Sequence, residues 1–212
     1  MSDTYVLAIE GLRELKSLDS LPQDIITAAK RAVNDATRFA QRQSSKEIRR
    51  QIKFPAHYLS GSNGRITIRQ FASDNQLEGR IGAERRATSL ARFAQGKLTT
   101  GGAKRAAGVR VEVKPGSAVR LRNAFLIKLR SGNSKTDTQF NLGLAVRTEA
   151  GQSPRRAYKP KQIGKGLWLL YGPSVDSAFI NSGVKGGVAT QLSPEIANYL
   201  EDQFNRQMGL LK

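Results

Sequence analysis

SLPQDIITAAKRAVNDATRFAQRQSSKEIRRQI, residues 20–52, decides how the chain begins to fold. Ser20 supplies a hydroxyl at a helix N-cap and Pro22 suits the first turn. Gln23 follows the cap by three residues, so its amide can reach back to the cap N–H. Behind them Ile25, Ala29, Ala32, Ala36, Phe39, Ile48 and Ile52 recur largely at steps of three and four, which predicts a helix with one apolar stripe over Leu21 to Ile52. At 1.5 Å per residue it measures roughly 48 Å. The stripe is mostly Ala, so another backbone can come close. Lys30, Arg31, Arg38, Arg42, Lys46, Arg49, Arg50 and Lys53 occupy the rest of the helix and its exit. Such a face is either simply solvated or turned toward phosphates or an acidic partner; Arg38, Arg42, Arg49 and Arg50 are the candidates for the second role. Phe54-Pro55 ends the helix, because Pro disfavours a helical residue before it.

Outward from this helix the pattern changes to strands. On the N-terminal side, Tyr5 to Ile9 reads as a short strand or extended arm. On the other side, Arg65 to Phe71 alternates Ile66 and Ile68 against Arg65, Thr67 and Arg69, and Leu77 to Glu84 alternates more weakly, which predicts a hairpin. Thr88 to Phe93 is short enough for a single helical turn. Val109 to Val113, Ala124 to Arg130 and Leu142 to Thr148 give three more strands, with turns at Lys114-Pro115-Gly116 and Arg130-Ser131-Gly132-Asn133. Leu167 to Tyr171 is the most apolar run. Ser193-Pro194-Glu195 opens a last helix, a hydroxyl cap followed by Pro, with Ile196, Leu200, Phe204, Met208 and Leu211 as its apolar face. No internal repeat recurs at a fixed period. The fold class is therefore α+β: a long N-terminal helix packed on an antiparallel β-sheet, with long basic loops and a C-terminal helix, in a single domain over 1–212.

Two segments interrupt this order. Residues 95–108 are Gly, Thr, Lys and Ala with few apolar anchors, a flexible loop carrying Lys97, Lys104 and Arg105. Residues 153–165 are a second basic loop with Arg155, Arg156, Lys159, Lys161 and Lys165, and one aromatic, Tyr158.

The charge is as uneven as the pattern. Residues 21–170 hold 30 of the 35 Lys and Arg against 9 acids, whereas the two ends are net acidic and the whole chain carries +18. So one-sided a charge costs self-repulsion in the compact state, and a polyanion or an acidic neighbour relieves it. Nucleic acid, or a partner that surrounds it, is the first class to consider. Every apolar run is short and broken by charge, so no stretch approaches the roughly 20 residues of a membrane span. Met1 to Leu7 contains Asp3 and no basic cluster ahead of an apolar run, which argues against a secretory leader. The absence of Cys removes disulfides and thiolate metal sites and suits a reducing cytosol.

Catalytic chemistry finds little to work with. The one His, His57, sits in Phe54-Pro55-Ala56-His57-Tyr58, a turn after a helix, where a packed or solvent-facing imidazole is the ordinary outcome. Gly96 and Gly101-Gly102 lack the strand-to-helix context of a phosphate-binding loop, the acids are scattered, and Asp176 reads as the cap of a turn or short helix. No catalytic, cofactor-binding or metal residue is assigned, no small-molecule substrate is implied, and an enzyme is not expected. Zinc-finger, basic-zipper and aromatic RNA-binding signatures are also missing.

Ile9-Glu10-Gly11-Leu12-Arg13-Glu14-Leu15, Leu21-Pro22 and the helix containing Arg31-Ala32-Val33-Asn34 resemble the opening of the minor tail protein Z family, the tail completion or neck proteins of lambda-like tailed phages and prophages. The similarity continues in order through Phe54-Pro55-Ala56-His57-Tyr58-Leu59, residues 86–93, Val113-Lys114-Pro115-Gly116, Ala124-Phe125-Leu126-Ile127, Asn141 to Arg147 and Leu169 to Asp176. It says least about 95–108 and 153–165. The resemblance implies a structural, non-enzymatic virion protein, made in the host bacterial cytoplasm, at the head-proximal end of the tail. Its implied partners are itself as a six-subunit ring, the tail terminator and head connector proteins, and the genomic double-stranded DNA passing through the channel. Lys97, Lys104, Arg105, Arg155, Arg156, Lys159, Lys161 and Lys165 then become assembly or channel residues. The alternative, on charge alone, is a stand-alone, sequence-independent DNA-binding accessory protein.

Overall fold

The computed structural model describes residues 22–60, 64–96, 108–129, 142–149, 152, 154, 159–180 and 187–210. The fold is α+β, with a long N-terminal helix, antiparallel sheets and a C-terminal helix. The chain groups into two compact units, one of residues 1–47, 65–85 and 176–212, the other of 48–64 and 86–175.

In the first unit, helix α1 (Gln23–Gln51) buries Ala29, Ala32, Val33, Ala36 and Ala40, as an Ala stripe allows. Against it lies the hairpin β1 (Ile66–Gln70) and β2 (Arg80–Ala83), paired antiparallel with Ile66 opposite Ala83 and Ile68 opposite Ile81. How close the two come is visible at Gly79, where an added Cβ would stand 1.9 Å from Thr37 Oγ1. Polar side chains fix the register. Asn34 Oδ1 accepts from the Ala72 amide at 2.8 Å while its Nδ2 donates to the Ala72 carbonyl at 3.3 Å, and Gln41 Nε2 donates to the Ile66 carbonyl at 2.9 Å. β1 therefore runs antiparallel to α1. Ile66 and Ile81 are wholly buried, and each such side chain contributes on the order of 1.5–3 kcal/mol of burial.

Helix α4 (Val188–Gly209) completes this unit. The Phe39 and Tyr199 rings stack at 4.0 Å, and Gln43 Nε2 donates to Glu195 at 3.2 Å, so α4 runs antiparallel to α1. It starts five residues before the Ser193 cap expected from sequence and carries Pro194 in its interior. Val188 and Leu192 are buried, and burial of those two turns outweighs the hydrogen bond that Pro removes. Asp176, read from sequence as a cap, lies instead within the first turn of the short helix α3 (Val175–Ile180), and its buried carboxylate pairs with Arg85 at 3.4 Å.

The second unit holds the short helix α2 (Ala56–Leu59), a 3₁₀ turn at Leu90–Phe93, and six strands: β3 (Val109–Lys114), β4 (Ser117–Leu121), β5 (Ala124–Lys128), β6 (Leu142–Arg147), β7 (Lys159–Gly164) and β8 (Leu167–Tyr171). β3 and β4 form a two-stranded ribbon, and the other four form an antiparallel sheet in the order β5-β6-β8-β7. Phe54 packs between Tyr58 and Phe93, with ring centroids 5.7 and 5.4 Å away. The Tyr58 hydroxyl is 3.0 Å from the Thr88 hydroxyl. His57 is exposed on α2.

Two strands depart from the sequence reading. β4, which follows Pro115-Gly116, is not among the expected strands, and β7 falls inside the expected basic loop at 153–165. β7 is an edge strand bearing Pro160 and Lys161, residues that protect an open edge from pairing with another chain. The expected flexible loop at 95–108 lies, from 97 to 107, outside the described residues.

Candidate polyanion-binding surfaces

The sequence candidates separate once they are placed. Arg38 and Arg42 stand one turn apart on α1 and are exposed, as are Arg31 and Lys46. At 3.6 residues per turn these four fall within an arc of roughly 80°, and the helix rises about 22 Å from the first to the last. Asp35 is the acid within that arc, and it is held by Arg38 at 3.2 Å. Among the described residues Arg31, Arg42 and Lys46 have no ion-pair partner. Arg49 and Arg50 are also exposed, in the last turn of α1, which belongs to the second unit.

Beside this face the chain leaving β1 presents Phe71, 44% exposed, with the Arg38 guanidinium 4.9 Å from its ring centroid. An Arg plane over an aromatic face keeps its charge while its position is fixed. Arg69, at the end of β1, is exposed as well. Lys30, by contrast, is engaged by Asp74 at 2.7 Å.

In the second unit Lys161 on β7 and Lys165 in the turn before β8 are exposed. Lys159 lies in β7 by its backbone. Lys97, Lys104, Arg105, Arg155 and Arg156 lie outside the described residues. The sequence reading missed a different set: Arg110 on β3, Arg120 on β4 and Arg122 just beyond it, all exposed. Their signal was present as alternate charged residues on both sides of Pro115-Gly116, but alternation alone does not reveal which residues stand opposite each other.

Glu112 separates the acids from these bases. It is 8% exposed, and its carboxylate receives Lys53 Nζ at 2.6 Å, the Gly116 amide at 2.9 Å and the Gln95 amide group. The Lys53 hydrogen bond, and after it that from Gly116, holds the Glu112 carboxyl below its ordinary range despite the opposing cost of burial. Its charge is thus spent on joining the α1 exit to the β3–β4 turn.

No family model, curated protein or solved structure matches this chain. Among the described residues no group of three or more His, Asp or Glu is placed to hold a metal ion, and no helix is long and apolar enough to cross a membrane. The described residues present exposed cations on rigid elements with few acids to answer them. Such surfaces attract polyanions without reading bases.

Proposed function

We propose that this protein is a structural component of a tailed-phage virion that completes the head-proximal end of the tail and helps join it to the head, as a six-subunit ring around the DNA channel. The observation that carries the reading is the basic face of α1, where Arg31, Arg42 and Lys46 stand exposed without carboxylate partners among the described residues and Arg38 is braced on Phe71. The ordered resemblance along nearly the whole chain supports the same assignment. A wall beside passing duplex benefits from counter-charge that ignores sequence, and helices and sheets hold that charge at fixed positions. Heterologous contacts that close give rings. Its neighbours would be the tail terminator, the head connector and the genomic DNA, and its activity is assembly rather than catalysis.

The rival reading, a stand-alone DNA-binding accessory protein, draws on the same cations. Particle assembly separates the two. Phage lacking the protein should contain heads and tails and yet fail to infect, and a neck reconstruction should place it as a six-fold ring. Normal infectious particles in its absence, with tight binding to free duplex at physiological salt, would instead establish the accessory role.

A further inference from the structure

The β3–β4 ribbon carries an arrangement that folding by itself disfavours. Arg110 and Arg120 are direct cross-strand partners, flanked by Val109 opposite Leu121 and Val111 opposite Val119. Like charges placed directly opposite destabilise a strand pair. Arg122, two residues past Arg120, adds a third guanidinium at the end of β4. All three are exposed, and no carboxylate forms an ion pair with any of them among the described residues. Glu112, two residues from Arg110 on β3, feels the Arg110 charge only as the smallest of its influences, and its carboxylate is hydrogen-bonded by Lys53, Gln95 and Gly116. The ribbon is also held firmly. The Lys53 amide donates to the Val113 carbonyl at 2.8 Å and the Gln95 amide to the Arg110 carbonyl at 2.9 Å, so the edge of β3 away from β4 is covered. Gly116, at φ +77°, closes the turn after Pro115.

We propose that Arg110, Arg120 and Arg122 form a docking site for the phosphate backbone of duplex DNA. The guanidinium fork matches phosphate oxygens in bidentate fashion, and a strand pair holds two such forks side by side. Duplex DNA carries one negative charge about every 1.7 Å of axis, a density that answers three clustered cations and a chain of net charge +18. Contacts of this kind position the protein and carry no sequence preference. The assignment rests on the reading that the chain works against duplex DNA, and it names a second surface for that contact, on a different unit from the α1 face.

The test is fluorescence anisotropy of a short labelled duplex titrated with the full chain across a range of salt concentrations, starting low, where phosphate contacts are strongest. The wild type is compared with a ribbon variant (Arg110→Gln, Arg120→Gln, Arg122→Gln) and an α1 variant (Arg31→Gln, Arg42→Gln, Lys46→Gln). Each lost phosphate contact removes about 0.9 from the slope of log affinity against log salt, so the ribbon variant should lose roughly two to three units of slope. An Arg→Lys version of the three ribbon positions should restore most of it, which excludes misfolding as the cause. A ribbon variant with wild-type affinity and slope, beside a weakened α1 variant, would overturn the ribbon site and leave the polyanion reading standing. Failure of the wild type to bind duplex even at low salt would overturn both. Polyglutamate competing as well as duplex at equal charge would assign the ribbon to an acidic protein surface and overturn the phosphate assignment.

Discussion

At the scale of single residues, two positions expose what holds each unit together. Gly79 allows β2 to approach α1 because Thr37, wholly buried and donating its hydroxyl to the Val33 carbonyl at 2.7 Å, leaves no room for a methyl group. Gly79→Ala should destabilise the protein by about 1–3 kcal/mol, the usual range for overpacking. Urea unfolding checks this, and the penalty should shrink in a Thr37→Ala background. Glu112 makes the other unit sensitive to acid. Its folded pKa lies below the ordinary value of about 4.3, so folding favours the charged form. That contribution is fully present above the ordinary value and disappears as pH falls through the folded one. Thermal melts should therefore show wild type and Glu112→Gln converging as the pH falls from 6 toward about 2, with the variant less stable at neutral pH. A constant gap would mean that the carboxylate contributes through packing alone.

At the scale of elements, α4 offers the sharpest contrast between local signal and outcome. Ser193-Pro194 reads as a helix start, yet the helix runs from Val188 and places Pro194 seven residues in. A Pro inside a helix forfeits one backbone hydrogen bond and crowds the preceding turn, at about 3 kcal/mol. Pro194 is exposed, so replacing it removes no buried contact. Pro194→Ala should accordingly raise stability by roughly 1–3 kcal/mol, read from the denaturation midpoint. If the helix began at Ser193 instead, Pro194 would occupy its favoured first position and the substitution would be neutral or unfavourable. β7 shows the same dependence on context. Its Lys159-Pro160-Lys161 sequence resembles a loop, and it becomes a strand because β8 supplies a partner, with Lys161 opposite Leu169 and Gln162 opposite Trp168.

At the scale of the whole molecule, the net charge of +18 sets how stability and binding respond to ions. Exposed like charges repel in the compact state, and salt screens them over about 10 Å at 0.1 M. The melting temperature should rise as salt increases from low to moderate concentration, and rise further with a duplex polyanion present, because a ligand that binds only the folded state stabilises it. Differential scanning fluorimetry measures both effects. A melting temperature that falls with added salt would show that paired charges, such as Arg85 with Asp176, outweigh the repulsion.

The sequence by itself determined the elements whose signal is local. The Ala stripe of α1, the Ile66–Ile68 alternation of β1, the strand patterns of β3, β5 and β6, and the exposure of Arg38 and Arg42 all follow from a period of 3.6 or 2 read within one segment. Tertiary structure decided the rest, because it depends on partners distant in the chain. β4 and β7 are strands through the neighbours they pair with, and α4 starts early because Val188 and Leu192 are buried. The pairing of Arg110 with Arg120 is a matter of register, which a single strand cannot encode. Hydrophobic period is a property of a segment; pairing and burial belong to the folded chain, where gains across the chain outweigh the preferences of individual residues.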